Sequence, residues 1–241
     1  MTHAIDPDSL AGVSFTRRGD QPHMHVDPAV LVLFPVFVLS VVVHECGHGL
    51  MALVNGDPTA RDRGRLTLNP IPHVDPLGSL ILPGMLLLLH SPVLFGWAKP
   101  MPVNAANLRD PRNDPVKIAL AGPVSNLLLA LAFGALARLA PATGFWAPLK
   151  AMGYAGVTWN CALALFNLIP IPPLDGSWVL MRFLPLRHIV ALHQFRMLGL
   201  LLVGFLLASP PTSRVLLGTP LRFAVKTCLG LFGVPFEGFE L

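Results

Sequence analysis

Long apolar stretches alternate with polar segments along most of the chain. The first, 29–54, has about 26 residues, which is enough for one tilted helix across a membrane. The stretches 116–139 and 151–169 predict a second and a third spanning helix. The stretch 189–208 predicts another, and the moderately apolar tail 214–236 predicts either a last span or an interfacial helix. The pattern therefore predicts an all-α fold, a polytopic bundle of transmembrane helices.

Two segments between the first and second spans depart from this pattern. Residues 77–95 are apolar, but Pro83, Gly84 and Pro92 interrupt them. Residues 64–68 alternate loosely between polar and apolar side chains, which predicts a short strand or β-hairpin after the first helix.

The composition supports a membrane protein. Hydrophobic residues make up 53% of the chain and charged residues 12%, whereas soluble domains carry about 25% charged residues. We expect a polar N-terminal tail over 1–27, with no visible cleavable signal peptide, a membrane core over 28–185 and further membrane helices over 186–241. The net charge of +4 suits basic cytosolic loops. No basic stripe with interleaved aromatic residues indicates nucleic-acid binding.

The first span contains ionisable side chains that are costly to place in lipid. Between residues 29 and 54 the ionisable residues are His44, Glu45, Cys46 and His48, and a charge at mid-membrane costs roughly 2.5 to 3.5 kcal/mol on insertion scales. His44 and His48 share a helix face and can bind one ion. They match the H-E-x-x-H zinc signature, in which the glutamate activates the zinc-bound water. The alternative is two core histidines beside a buried glutamate. Cys46 points about 200° away from His44 and is not expected to bind the metal.

Asp175 is the best candidate for the third protein ligand that a catalytic zinc usually takes. Among the thirteen carboxylates, Glu45 and Asp175 are the two that long apolar sequence borders closely. Asp175 follows a proline-rich break, and non-helical backbone at membrane depth is tolerated only beside a polar cavity or inside protein. Asp175 could instead cap a short helix over 177–184, because aspartate is a good N-cap residue. The residues alone leave both interpretations open.

Six short segments are spread over most of residues 40–185. They are 44–48 (HECGH), 56–60 (GDPTA), 65–70 (RLTLNP), 96–104 (GWAKPMPVN), 121–126 (AGPVSN) and 166–176 (FNLIPIPPLDG). In these segments, and in their order, the chain resembles the site-2 protease family of intramembrane zinc metalloproteases in its short bacterial form.

The resemblance implies a three-helix catalytic core that holds one Zn²⁺ through His44, His48 and Asp175. It also implies that Glu45 activates the water and that Asn167 assists near the scissile carbonyl, where an amide can stabilise a developing oxyanion without carrying charge. Asn167 could instead serve as a helix C-terminal cap. Asn126 is expected either to hydrogen-bond between helices or only to pack, because small neighbours allow a close approach there.

A shared ion would constrain the topology. The two histidines lie in the C-terminal half of their helix and the aspartate lies just past the end of another, so the two helices must run in the same direction. An even number of membrane crossings must therefore separate these two positions, and the second and third spans already supply two. We therefore predict that 77–95 is a re-entrant or interfacial segment. The basic residues of 55–117 place that region in the cytosol, which leaves the N-terminal tail outside.

The predicted function is intramembrane proteolysis in the bacterial cytoplasmic membrane. The partners would be membrane lipid and a transmembrane protein substrate, which must unwind locally because a helix hides its carbonyls in internal hydrogen bonds. The alternatives are a metal-ion transporter and a catalytically inactive membrane adaptor. A transporter has no need for Glu45 beside the histidine pair, and the presence of every motif residue argues against an inactive adaptor.

Overall fold

A helical bundle follows a small hairpin in the part of the chain that the computed structural model describes, residues 13–17, 22–26, 28–89, 96–194 and 196–236. The hairpin is antiparallel and consists of β1, Val13–Arg17, and β2, Pro22–Val26. The α-helices of the described residues are α1 Pro28–Val54, α2 Thr59–Asp62, α3 Leu82–Leu88, α4 Asp114–Leu139, α5 Ala147–Asn167, α6 Gly176–Met181, α7 Leu186–Gln194, α8 Arg196–Ala208, α9 Pro210–Ser213 and α10 Thr219–Leu231.

Two helices among the described residues are long and apolar enough to cross a membrane. They are Val32–Val54, within α1, and Asp114–Leu139, which is α4. Helix α5 has 21 residues but does not reach the same apolarity, so its crossing stays a prediction. In the region predicted as the span 189–208, helices α7 and α8 lie on either side of residue 195, which is outside the described residues.

Helices α1 and α5 run in the same direction. Ser40 of α1 contacts Asn160 of α5. Farther along both segments, His44 of α1 lies close to Asp175, which follows the end of α5. Later residues of α1 thus contact later residues of the α5 segment, so the two helices are parallel. One ion bound by both segments requires this direction.

Helix α4 runs in the opposite direction to α1. Ile118, near the start of α4, contacts His48, whereas Asn126, two turns later, contacts the earlier residue His44. Helix α4 also packs along α5, and α10 packs against both. The three helices α1, α4 and α5 thus contact one another in every pairing.

Glycines allow α5 to approach α4 closely. A Cβ built on Gly153 would lie 2.6 Å from the backbone nitrogen of Ala137. A Cβ built on Gly156 would collide with the ring of Phe133. Because a backbone atom cannot rotate away as a side chain can, Gly153 sets the spacing of these two helices.

Gly153→Ala is expected to destabilise the fold by about 1–3 kcal/mol, since it inserts a methyl group into a packed interface. The matched control is Gly204→Ala, because Gly204 lies in helix α8 with nothing within 4 Å of a built Cβ. The control should be neutral or stabilising by up to about 1 kcal/mol, the helix propensity gain of alanine over glycine. Thermal unfolding of both variants in detergent measures the difference. Equal stability of the two variants would contradict the close packing of α5 on α4.

The strand predicted over 64–68 is wrong. Side chains, rather than a neighbouring strand, bind this segment: Cys46 Sγ and His73 Nε2 both contact the Thr67 carbonyl oxygen, at 3.3 and 2.9 Å. The Thr67 hydroxyl in turn accepts from the backbone N–H of Asn69. Local bonds of this kind compete with a sheet ladder, and they fold the segment into a loop beside α1. The observed hairpin lies before α1, where the sequence predicted only a polar tail.

The segment 77–95 is helical at its start. A π-helical turn over Pro76–Ile81 leads into α3, and the Asp75 carboxylate caps it by accepting from the backbone N–H groups of Leu77 and Gly78. The helical stretch Pro76–Leu88 spans roughly 20 Å at the α-helical rise, and about 30 Å is needed to cross a bilayer core. Residues 90–95 lie outside the described part. The described helical stretch is too short to cross a bilayer core by itself, and the prediction that 77–95 does not cross stays a prediction.

A buried carboxylate holds the loop that follows α1. Gly56 ends the helix in the left-handed region, with φ of 106°, which glycine adopts without strain. Asp57 then accepts hydrogen bonds from the backbone N–H of Asn104 and the side-chain amide of Asn107. Burial alone would raise the pKa of Asp57, but these bonds and those from Thr59 hold it below its ordinary value. The charged carboxylate therefore ties the loop before α4 to the end of α1.

Candidate metal centre

Helix α1 presents two histidines toward the interior of the bundle. His44 and His48 are four residues apart, so they lie on one face, and only 6% and 8% of their surfaces are exposed. Gly122 of α4 faces both rings, because a Cβ built there would lie 2.5 Å from His48 Nε2 and 2.6 Å from His44 Cε1. The absence of a side chain at Gly122 leaves the room that the two imidazoles occupy.

Asp175 reaches the same place from the turn between α5 and α6. Its Oδ2 atom lies 3.2 Å from His44 Nε2 and 3.3 Å from His48 Nε2. The two Nε2 atoms are 3.0 Å apart. Asp175 makes no side-chain hydrogen bond to the start of α6, so it does not act as a helix cap. Among the described residues, this group of His44, His48 and Asp175 could hold a metal ion.

The hydrogen bonds of the two Nδ1 atoms decide whether the Nε2 atoms that face Asp175 carry a proton or a lone pair. His48 Nδ1 lies 2.7 Å from the carbonyl oxygen of Ile118, which can only accept, so Nδ1 carries the proton. His44 Nδ1 lies 2.6 Å from Asn126 Oδ1 and donates to it in the same way. In neutral histidines both Nε2 atoms then present lone pairs, as does Asp175 Oδ2, which has no hydrogen-bond partner. Three acceptors converge without a donor.

A divalent cation fits this arrangement. Facing lone pairs in a buried site repel one another unless a positive charge lies among them. Tetrahedral zinc binds histidine nitrogen and carboxylate oxygen at about 2.0–2.1 Å, which puts ligand atoms roughly 3.3 Å apart. The observed separations of 3.0–3.3 Å therefore suit one zinc ion with two imidazoles and one carboxylate as protein ligands.

Glu45 and Cys46 lie beside the histidines on α1 but differ in what they contact. Glu45 Oε2 is buried and has no hydrogen-bond partner. The Cys46 thiol donates to the Thr67 carbonyl oxygen, 3.3 Å away, and does not belong to the group that could hold a metal. Glu45 is partly buried as a residue, and one of its carboxylate oxygens is buried without a partner next to the histidine pair.

Asn167, which the resemblance assigns to catalysis, lies at the C-terminal end of α5. Its side-chain amide donates to the Leu163 carbonyl oxygen of its own helix at 2.9 Å. This bond uses one of its two amide hydrogens and leaves the other for a second acceptor. The catalytic role of Asn167 stays a prediction.

Gly122→Ala is expected to weaken zinc binding strongly, although it changes no ligand, because the new methyl group takes the space of both imidazole rings. Displacing the rings should lower zinc affinity by at least about 10-fold, the lower end of the effect of disturbing groups that orient metal ligands. Zinc affinity measured by chelator competition tests this. The control is Gly134→Ala on the same helix, where a Cβ would meet the ring of Phe232 instead. Equal zinc affinities of the two variants would contradict the geometry described.

Comparison with known proteins agrees with this geometry. Over 196 residues, which are 77% of this chain and 86% of the relative, the chain is 37% identical to the protein named "Putative zinc metalloprotease YwhC" of Bacillus subtilis. The chain belongs to the site-2 protease family. The chain is also 31% identical over 198 residues to the protein named "Putative zinc metalloprotease Rip2" of Mycolicibacterium smegmatis, with 80% of this chain and 73% of the relative covered. No family model and no solved structure matches the chain.

The sequence analysis missed two asparagine contacts that surround the candidate metal centre. The hydrogen bond predicted for Asn126 is confirmed, but its partner His44 was not foreseen. Asn160 was missed altogether, although its amide contacts Asn126 at 2.8 Å. The available signal was an asparagine in the middle of an apolar helix, because such a side chain needs a partner inside the protein.

Proposed function

We propose that the protein is an intramembrane zinc endopeptidase, which hydrolyses peptide bonds in or near transmembrane segments of other proteins. The observation that carries the proposal is the convergence of three buried acceptor atoms beside Glu45, on a helix that is long and apolar enough to cross a membrane. Membership in a family of zinc metalloproteases supports the zinc and the hydrolytic chemistry. The apolar helices support the membrane setting.

Each residue of the site has a proposed task. His44, His48 and Asp175 hold the zinc ion, which when bound polarises a carbonyl and lowers the pKa of water toward about 7. Glu45 accepts the proton of the attacking water on its free oxygen and delivers it to the departing amine nitrogen, so the peptide bond breaks with one water consumed. Asn167 donates its second amide hydrogen to the oxygen of the scissile carbonyl.

The proposed substrate is a transmembrane segment of another protein. Its carbonyls are bonded within a helix, so the segment must unwind before a carbonyl can meet the site. The proposed setting is a multi-pass protein of the cell membrane with α1, α4 and α5 as its three-helix core. A transporter would need a path of several polar clusters. Across the described ranges, His44, His48 and Asp175 are the residues that group in a metal-binding way.

The antiparallel course of α4 predicts the topology of the region before it. Because α1 and α5 are parallel and α4 is opposite, the chain must leave α1 and enter α4 on the same side of the membrane. Reporter fusions after Asn69 and after Asn104 should therefore report the same side, the cytosol, as the basic residues of 55–117 indicate. Opposite sides would mean that 77–95 crosses the membrane, and the proposed arrangement of spans would be wrong.

Profiling of protein N-termini tests the proposed function and does not require an identified substrate. Membranes from cells producing the wild type or Glu45→Gln are compared, and new N-termini are mapped onto the sequences of membrane proteins. We expect termini within transmembrane segments that appear only with the wild type. Identical termini in both samples, or wild-type-dependent termini that lie only in soluble regions, would contradict the proposal.

A further inference from the structure

A buried polar cluster links the three core helices one turn from the metal centre. It consists of Ser40 on α1, Asn126 on α4 and Asn160 on α5, and we call it the polar relay. The exposed fraction of each of these side chains is 0%. Buried polar groups between apolar helices must satisfy one another, and a fully satisfied network rigidifies its surroundings. The relay touches the site at one point, where Asn126 Oδ1 contacts His44 Nδ1 at 2.6 Å.

Every donor of the relay has an acceptor. Asn126 donates to the Ser40 carbonyl oxygen at 3.1 Å and to Asn160 Oδ1 at 2.8 Å. Asn160 donates to the Ser40 hydroxyl and to the Gly156 carbonyl oxygen, both at 2.8 Å. The Ser40 hydroxyl donates to the Val36 carbonyl oxygen at 2.8 Å. Both hydrogens of each amide are therefore used.

Backbone carbonyls fix the direction of these bonds. A carbonyl oxygen can only accept, so the carbonyls of Gly156 and Ser40 require the amide nitrogens of Asn160 and Asn126 to face them. Turning the Asn126 amide over would set its oxygen against two acceptors, the Ser40 carbonyl and Asn160 Oδ1. The amide oxygen of Asn126 must therefore face His44. His44 then has to carry its proton on Nδ1 and present the lone pair of Nε2 to the metal.

We propose that the polar relay is a positioning device for the metal centre, in which Asn160 acts through Asn126 to hold His44 in its metal-binding tautomer and ring orientation. Asn126 and Asn160 are positioning residues for the proposed zinc protease, and the inference rests on that proposed function. His48 has no equivalent, because its Nδ1 donates directly to the Ile118 backbone carbonyl. The two ligands of α1 are thus oriented in different ways, one by the backbone and one by side chains contributed by two other helices.

Zinc affinity of purified full-length variants tests the relay. Asn126→Leu should weaken zinc binding by about 10- to 100-fold, the usual effect of removing the partner of a metal-binding histidine. Asn160→Leu should weaken it by about 10-fold, although Asn160 touches no ligand. Because Asn160 acts through Asn126, the double variant should bind zinc no more weakly than Asn126→Leu alone. Additive losses are the result expected of two independent structural effects, and they would overturn the relay.

Thr158→Val is the matched control, since the Thr158 hydroxyl lies on the same helix as Asn160 but donates only to the Tyr154 carbonyl oxygen of that helix. Its zinc affinity should equal that of the wild type.

Ser40→Ala provides a milder test that adds no volume, and it should weaken zinc binding roughly threefold by removing one acceptor from Asn160. Circular dichroism of the zinc-free proteins verifies folding. If the wild type binds no zinc, the proposed function fails. If the wild type and all variants bind zinc equally, the relay alone fails.

Discussion

Glu45→Gln is expected to lower the rate of peptide hydrolysis by about 10²–10⁴-fold, the contribution of a general base, while zinc stays bound. The amide has the size of the carboxylate but cannot accept the proton of the attacking water. Glu45 Oε2 is buried without a partner, so no existing hydrogen bond is lost by the change. The measurement is single-turnover cleavage, in proteoliposomes, of a substrate identified by N-terminal profiling, together with the zinc content of the same preparation.

The zinc content decides how a loss of cleavage is interpreted. One zinc per chain in Glu45→Gln, with cleavage lost, assigns the proton transfer to Glu45. Cleavage at the wild-type rate would exclude Glu45 as the general base. Loss of zinc together with cleavage would instead assign Glu45 to metal binding, which its position outside the group of His44, His48 and Asp175 does not predict.

Asp175→Ala is expected to weaken zinc binding by more than about 100-fold, because it removes a direct ligand and not merely a group that orients one. The change leaves two imidazoles and no carboxylate among the converging ligand atoms, where a divalent cation needs both ligand atoms and compensating charge. The histidines themselves need not move, since each keeps its own Nδ1 hydrogen bond. Chelator competition on the purified protein measures the affinity.

Asp62→Ala is the control for the aspartate prediction. Asp62 lies on α2, more than half of its side chain is exposed, and it pairs with the neighbouring Arg61 at the surface. Exposed pairs of this kind contribute little, so both zinc affinity and stability should stay at wild-type values. Wild-type zinc affinity in Asp175→Ala would show that the carboxylate is not a zinc ligand. It would contradict the proposed metal centre of two histidines and one aspartate.

The sequence was sufficient to predict the long helices and, with the family resemblance, the three residues that the structure groups in a metal-binding way. An apolar run of about 26 residues leaves few alternatives to a helix, and α1 matches it. The costly ionisable residues His44, Glu45 and His48 indicated a site because lipid offers them no partners. The residues alone left Asp175 open between ligand and helix cap, whereas in the structure it makes no cap hydrogen bond and lies with His44 and His48.

Other features could not be predicted because they depend on contacts between distant parts of the chain. The loose alternation over 64–68 suggested a strand, but the Cys46 side chain on α1, 21 residues away, and the nearer His73 side chain both bind the Thr67 carbonyl. Asn160 looked like one polar residue in an apolar helix. Its partners on α1 and α4 lie 120 and 34 residues away, and no local pattern identifies them.

X-ray absorption at the zinc edge, on the purified protein reconstituted with zinc, tests most directly whether two imidazoles and one carboxylate bind a single ion. We predict one zinc per chain, a first coordination shell of nitrogen and oxygen at about 2.0–2.1 Å, and the scattering pattern of two histidine rings. A sulfur neighbour at about 2.3 Å, which would come from Cys46, or a shell without two imidazoles, would contradict the assignment on which the proposed chemistry depends.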